Sequence, residues 1–356
     1  MKKIYKLALA FILIIVMLIG IGCSIYVYNL SPVNGDDTVI SFEVQSGESF
    51  LTIASNLKDE NLIRSELFYK LYVKLHNVSG LQAGTYYVSS DMGVEELVKV
   101  LSGNSINANV MNITFKEGLH MRKIADTIAQ ATSYTAEEVL EVGANEQFLN
   151  QLISEYWFLT DDILNEDIYY PLEGYLFPNT YQFNKDVSIE EIFRTMLDGM
   201  DTVLTPYKED IENSEYSIHE ILTLASIVEL EAAGSDDRAG VAGVFYNRLE
   251  NNWSLGSDVT TYYAIKVDMN ERDLYKSELN DYNAYNTRSS KMAGKLPVGP
   301  ICNPGLDAID AAINPTVHDY FYFVADKNKK TYFTKTSSEH TQKVAELKSA
   351  GLWYEY

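Results

Sequence analysis

Two cysteines among 356 residues leave almost nothing to staple the chain together. Cys23 sits in an apolar run and Cys302 lies far downstream, so no disulfide framework and no Cys/His zinc cluster can form. The five histidines (His76, His120, His219, His318, His340) are scattered without metal-ligand spacing. Basic residues are scarce too, with 28 Lys and Arg against 50 Asp and Glu and a net charge of −22. With Lys2, Lys3 and Lys6 set aside, 25 basic residues face 50 acidic ones, a net charge of −25. A surface of that sign repels phosphate backbones and anionic lipid, which excludes nucleic acid as a partner. No Gly-x-Ser-x-Gly elbow, P-loop or dinucleotide fingerprint occurs, and nothing calls for a cofactor or a metal. The fold must hold by packing alone, and the length allows two or three domains.

What is present begins with a long apolar run. Lys2, Lys3 and Lys6 precede Leu7 to Tyr28, 22 residues without a charge. Such a run can cross a bilayer as a helix, and the lysines on its N-terminal side favour a cytoplasmic N-terminus. A cleaved signal peptide is the main rival, but its apolar core is shorter. A lipoprotein is the other, since Cys23 follows Gly22; against it, Gly20 stands where a larger aliphatic residue belongs. The adopted expectation is a single-pass anchor in the cell membrane with everything after residue 30 outside.

Turn formers fill 31–37, a short linker. Val39 to Val44 alternates as a strand, and Phe50, Ile53, Ala54 and Leu57 form a helical stripe. Helices are predicted over 66–75 and 94–101, and a strand over 84–88. A similar unit restarts with a strand over 110–115 and a helix over 121–131, a weak internal repeat. Helices follow over 136–142 and 146–153. Residues 156–187 are rich in aromatics and lack a period, the composition of a functional loop or an aromatic cover over the core. The chain then reads as helical over 188–204, 218–233 and 236–251, and closes with a hairpin (320–325 against 331–334) and a helix over 337–348. The expected units are 1–30, the linker 31–37, a small βα unit over 38–106, and 107–356 with its core in 188–356.

Chemistry is best sought in Leu222-Thr-Leu-Ala-Ser-Ile-Val-Glu-Leu-Glu-Ala-Ala233. At 100° per residue, Ile221, Leu224, Ala225, Ile227, Val228 and Ala232 share one stripe. Glu231 lies about 50° from its centre and Glu229 about 110° away. Glu231 should therefore project into the interior or a cleft, and Glu229 toward the margin. A carboxyl group in apolar surroundings stays protonated to higher pH, as a general acid must.

Polar groups cluster after this helix, in Tyr246-Asn247-Arg248, Leu255-Gly-Ser257-Asp258, Tyr285-Asn286-Thr287, Leu296-Pro297-Val-Gly299-Pro-Ile301 and Asn303-Pro-Gly305. Tyrosines stack on pyranose faces, while Asn, Ser and Thr match sugar hydroxyls and acetamido groups. Pro/Gly turns fix backbone groups in advance. Taken singly each is a turn or a satisfied polar residue; together they suggest a saccharide or peptide groove.

In the same order come Leu224-Ala-Ser-Ile-Val-Glu-Leu-Glu231, Val244-Phe-Tyr-Asn-Arg-Leu249 and the loops just quoted, flanked by Leu172-Glu-Gly-Tyr-Leu-Phe-Pro-x-Thr-Tyr181 and Phe321-Tyr-Phe-Val-Ala325. This set resembles the YceG/MltG-like family of membrane-anchored endolytic murein transglycosylases from about residue 38 to 350. Val44-Gln-Ser-Gly-Glu-Ser-Phe50 is similar to that family's LysM-like glycan-binding part. The chain departs from the family pattern at Val259, where proline is usual after Ser-Asp, and at Leu230, where a basic residue usually separates the two glutamates.

The implied fold is α+β: an N-terminal transmembrane helix, a LysM-like βα module, and a mixed, mainly helical catalytic domain with a β-hairpin. The implied reaction cleaves the β-1,4 bond between N-acetylmuramic acid and N-acetylglucosamine without water, leaving a 1,6-anhydro end, with Glu231 as the one acid/base. The residues expected around the substrate are Glu229, Asn247, Ser257, Asp258, Tyr285, Asn286, Thr287, Pro297, Gly299 and Asn303, with Tyr175 and Tyr181 from the aromatic segment. Peptidoglycan strands are the implied partner. The anchored location suggests wall-synthesis proteins as neighbours, though no residue argues for them. A binding or scaffold protein without activity is one alternative. A glycan hydrolase using Glu229, Asp258 or Glu173 as a second acid is the other.

Overall fold

The computed structural model describes residues 2–35, 38–45, 47–81, 84–102 and 110–353. It is mixed α and β, mostly helical, with three two-stranded sheets among the described residues. The chain divides into two compact units, residues 1–110 and 111–356. The end of the linker (36–37) and the expected boundary near 106 lie outside the described residues.

The first unit opens with α1 (Lys2–Leu30), whose 29 residues span about 43 Å at 1.5 Å each. Its described side chains are mostly exposed and apolar, among them Leu13, Val16, Met17 and Ile19. The helix is long and apolar enough to cross a bilayer. β1 (Val39–Val44) and β2 (Gly84–Ser89) pair antiparallel, with Phe42 opposite Tyr86. Alternation puts Phe42 and Val44 inward. Helices α2 (Ala54–Asp59), α3 (Glu66–Leu75) and α4 (Val94–Leu101) complete a separate core around Ile53, Leu57, Tyr69, Leu97 and Leu101.

The second unit begins inside β3 (Val110–Thr114), at Met111, and continues with α5 (Met121–Ala131), α6 (Ala136–Gly143) and α7 (Glu146–Glu155). The aromatic segment contributes β4 (Thr180–Asn184), the partner of β3. Then come α8 (Ile189–Leu204), α9 (Lys208–Glu212), α10 (Ile218–Glu231), α11 (Arg238–Glu250), α12 (Asp258–Ala264), α13 (Lys276–Asn280) and α14 (Leu306–Ile313). The antiparallel pair β5 (Tyr322–Ala325) and β6 (Thr331–Thr334) and the helix α15 (Ser337–Ser349) end the unit.

α10 is the central helix. Ser217 caps it, its hydroxyl accepting from the Glu220 amide while the Glu220 carboxylate accepts from Ser217 N–H. Glu220 in the first turn is exposed, but every residue from Ile221 to Val228 is buried, so the expected one-sided stripe is instead a helix covered all round by α11, α12 and α14. Thr223 and Ser226 tolerate this because their hydroxyls donate to the carbonyls of His219 and Thr223. The helix was expected to reach residue 233. It stops at Glu231, because Ala232 turns extended with ψ 130°. The acid thus sits on the last helical residue, where the chain leaves the core.

Candidate active site

Glu231 faces a cleft of about 510 Å³. Its floor is Leu255, Gly256, Ser257 and Asp258, and its walls carry Arg248, Trp253, Arg288, Tyr322, Phe323 and His340. The Ser257 hydroxyl donates to Glu231 Oε1 at 2.5 Å. Ser257 is held in turn, since its N–H donates to Thr287 Oγ1 at 3.1 Å and its carbonyl accepts from Thr260 Oγ1 at 2.7 Å. Burial pushes the Glu231 carboxyl above its ordinary range, and nearby Asp258 pushes the same way. The Ser257 hydrogen bond and the Arg248 and Arg288 guanidinium groups oppose that shift without overcoming it. The result is a carboxyl biased toward its protonated form at the mouth of a cleft.

Glu229 points elsewhere. Its Oε1 accepts from the Arg238 guanidinium at 2.7 Å and its Oε2 from Gly305 N–H at 3.0 Å. Both side chains of the pair are close to buried, at 13% and 7% exposed. Glu229, expected toward the margin of the interior or cleft, thus lies away from the Glu231 cleft in a closed ion pair. Two residues apart on a helix, the carboxylates diverge by about 160° once the turn is allowed for, and Arg238 supplies the neutralising charge that Leu230 cannot.

Several residues expected beside a sugar are buried and bonded within the protein. Asn303 is fully buried; its Oδ1 accepts from Gly174 and Leu176 N–H, and its amide nitrogen donates to Leu119 O and Glu173 Oε1. Asn286 accepts from the Thr261 hydroxyl and donates to the carbonyls of Glu278 and Asp281. Tyr175 is buried with its hydroxyl 2.7 Å from His219 Nδ1. The other ring nitrogen meets Val298 O at 2.9 Å and must carry the hydrogen, so the tyrosine is the donor. Tyr285 is buried and accepts from Tyr169 N–H, and the half-buried Tyr181 donates to Phe177 O. Pro297 and Gly299 are buried too, and Asn247 donates to the carbonyls of His318 and Tyr320. These side chains shape the cleft's support rather than line it. Of the expected set, Ser257 and Asp258 join Glu231 in the cleft, and Thr287 stands one bond behind Ser257.

The glycine of the Leu172-Glu-Gly-Tyr motif shows why the motifs interlock. Gly174 has φ +85°, and a Cβ there would meet Pro300 at 2.3 Å. Glu173 beside it is buried, accepting from Met121 N–H, Tyr263 Oη and Asn303 Nδ2. Burial pushes its carboxyl up to about 8, more than those donors pull it down.

Sequence reading missed the aromatic and cationic walls. Trp253 is exposed yet packed on Phe321 (ring centroids 4.7 Å apart), and Tyr322 stacks on His340 at 5.4 Å. Arg248 joins hairpin to floor, its Nε donating to Phe321 O at 2.8 Å and Nη1 to Leu255 O. Arg288 pairs with Asp258 at 2.6 Å. Arg248, inside the Tyr-Asn-Arg motif, and Tyr322 and Phe323, inside the Phe321–Ala325 motif, carried a sequence signal, while Trp253, Arg288 and His340 did not. Among the described residues no cluster of His, Cys, Asp and Glu could hold a metal.

A family model described as YceG-like matches residues 42–346. A Bacillus subtilis (strain 168) protein named endolytic murein transglycosylase is 38% identical over 316 residues, 88% of this chain and 86% of that one. A protein of the same name from Streptococcus pneumoniae serotype 2 (strain D39) is 32% identical over 337 residues, spanning 89% of this chain but 60% of its own length. A crystal structure of a yceG-like protein from Listeria monocytogenes superposes with a TM-score of 0.61 at 34% identity, covering 86% of this chain and 99% of that one.

Proposed function

The chain belongs to the YceG-like family, and from that premise we propose that it is a membrane-anchored endolytic lytic transglycosylase of peptidoglycan. α1 is its single-pass anchor with the N-terminus cytoplasmic, residues 38–106 are a LysM-like glycan-binding module, and 107–356 carry the chemistry. The substrate is the β-1,4 bond from N-acetylmuramic acid to N-acetylglucosamine. Glu231 in protonated form gives its proton to the glycosidic oxygen as the bond to C1 breaks. The resulting carboxylate takes the proton of the muramic C6 hydroxyl while that oxygen bonds to C1, closing the 1,6-anhydro ring and restoring the acid. The neighbouring acetamido group stabilises the cationic C1, so no second carboxylate is required.

The observation that carries this reading is a half-buried carboxyl, raised in pKa and aimed by Ser257, in a cleft walled by Trp253 and Tyr322. A hydrolase of the usual type would need a second acid at a defined separation. Of the three alternatives, Glu229 and Glu173 are engaged in other networks, and Asp258, the one lining the cleft, is ion-paired to Arg288. Mass spectrometry of digested glycan strands tests the reading. Anhydro ends are expected from the wild type and none from Glu231→Gln. Reducing ends would point to hydrolysis through Asp258, and no product would leave a binding protein.

A further inference from the structure

Val259 lines a second hollow besides the Glu231 cleft, about 330 Å³ in volume. Leu230, one residue before the acid, forms its nearest wall, with Leu119, Val267 and Ile301 around it. Thus the hollow adjoins the reacting site, and both positions at which the chain departs from its family's usual residues, 230 and 259, present aliphatic groups to it.

The rim has the opposite character. His120, Arg122 and Lys123 converge on one carboxylate, Asp268, at 3.1, 3.6 and 2.8 Å. Arg122 and Lys123 retain 29% and 46% side-chain exposure. Two permanent cations against one carboxylate leave a positive excess at the mouth of a hollow, in a chain whose surface is otherwise strongly negative. Apolar walls are a poor match for a hydroxyl-dense sugar. They suit small aliphatic side chains, and the cationic rim suits free carboxylates. Murein carries both in one group, the peptide stem on the lactyl ether of the muramic residue, next to the bond that Glu231 serves.

We infer that this hollow is a subsite for the carboxylate-bearing peptide stem of the muramic acid residue being cleaved. The inference rests on the reading of the Glu231 cleft as the glycan site. Its consequence is a preference for strands that still carry their stems over strands that have lost them.

The test uses the full-length protein in detergent with one batch of glycan strands, half of it stripped of stems by an amidase. The quantity read is the ratio of kcat/KM on stem-bearing to stripped strands. Arg122→Ala with Lys123→Ala should lower that ratio about tenfold, through KM, as expected for lost charge-assisted contacts. Because those side chains also tie Asp268, a second variant guards against misfolding. Met269 lies on the rim and is 51% exposed, so Met269→Glu should lower the ratio with an unchanged melting curve and Met269→Lys should raise it. A ratio unmoved by either Met269 variant overturns the subsite. Binding to the Glu231→Gln chain separates this from the catalytic reading. If the wild type cleaves neither strand but binding depends on stems and on Met269→Glu, the catalytic reading fails and the subsite stands. Equal binding of both strands overturns the subsite whatever the activity.

Discussion

Glu229 and Glu231 share a helical turn, yet their surroundings predict opposite failures. Glu231→Gln keeps shape and can still accept from Ser257, but it has no proton to give, so turnover should fall about 10²–10⁴-fold with melting unchanged. Glu229→Gln leaves the nearly buried Arg238 with only the exposed Asp307, 3.4 Å away, as its charge partner, which should cost up to roughly 3 kcal/mol of stability while folded molecules still turn over. A dead Glu229→Gln enzyme with full stability, beside an active Glu231→Gln one, would reverse the assignment. Ser257 tunes the acid. Its hydroxyl favours the charged form, so Ser257→Ala should raise the Glu231 pKa further and move the limb where activity falls with rising pH to higher pH. A pH–rate profile of kcat/KM checks the sign, since a shift to lower pH would contradict it. Sequence reading expected Glu231 in the interior or a cleft, and a cleft is where it lies, although the one-sided stripe behind that expectation is a helix buried all round. The amides of Asn286 and Asn303 were legible as special but not in their role, because side-chain polarity does not say whether its partner is a ligand or the protein's own backbone.

Elements were more legible than the site they build. The strand Val39–Val44 and the helices Glu66–Leu75, Val94–Leu101 and Met121–Ala131 lie where their periodicity puts them. The short helices α12 and α14 were read as polar loops or passed over, since their sequences lie among turn formers and polar motifs and their stability comes from packing on α10. How such pieces are tied is visible at Glu173, which joins the start of α5 (Met121), α12 (Tyr263) and the segment before α14 (Asn303). Its carboxyl is raised to about 8 in the fold, so the native state holds a proton that the unfolded chain releases near the ordinary glutamate value. Stability from this group is full below about pH 4.5 and is lost as pH rises toward 8, at a slope of at most about 1.4 kcal/mol per pH unit. Thermal melts between pH 5 and 8 should show that decline in the wild type and a flatter curve in Glu173→Gln. Equal slopes would mean that Glu173 is ionised in the native state.

For the molecule as a whole, the question is whether the proposed glycan-binding part and the proposed catalytic part work separately. Each compact unit has its own buried cluster, one around Ile53, Leu57 and Leu97, the other around Ile192, Leu224 and Phe245. Every cleft residue, from Glu231 to His340, belongs to the second. A chain beginning at about residue 107 should therefore fold and still cut short soluble glycans, while losing affinity for long strands and cleaving them more slowly. Some loss of turnover is compatible with this, because binding energy gathered far from the reacting bond can serve the transition state. The comparison to make is kcat/KM for full-length and truncated protein as a function of strand length. The two curves should converge at short lengths and diverge as strands grow. A truncated protein with a normal melting transition but no activity on any length would mean that the first unit completes the active site, and the division of labour between 38–106 and 107–356 would have to be abandoned.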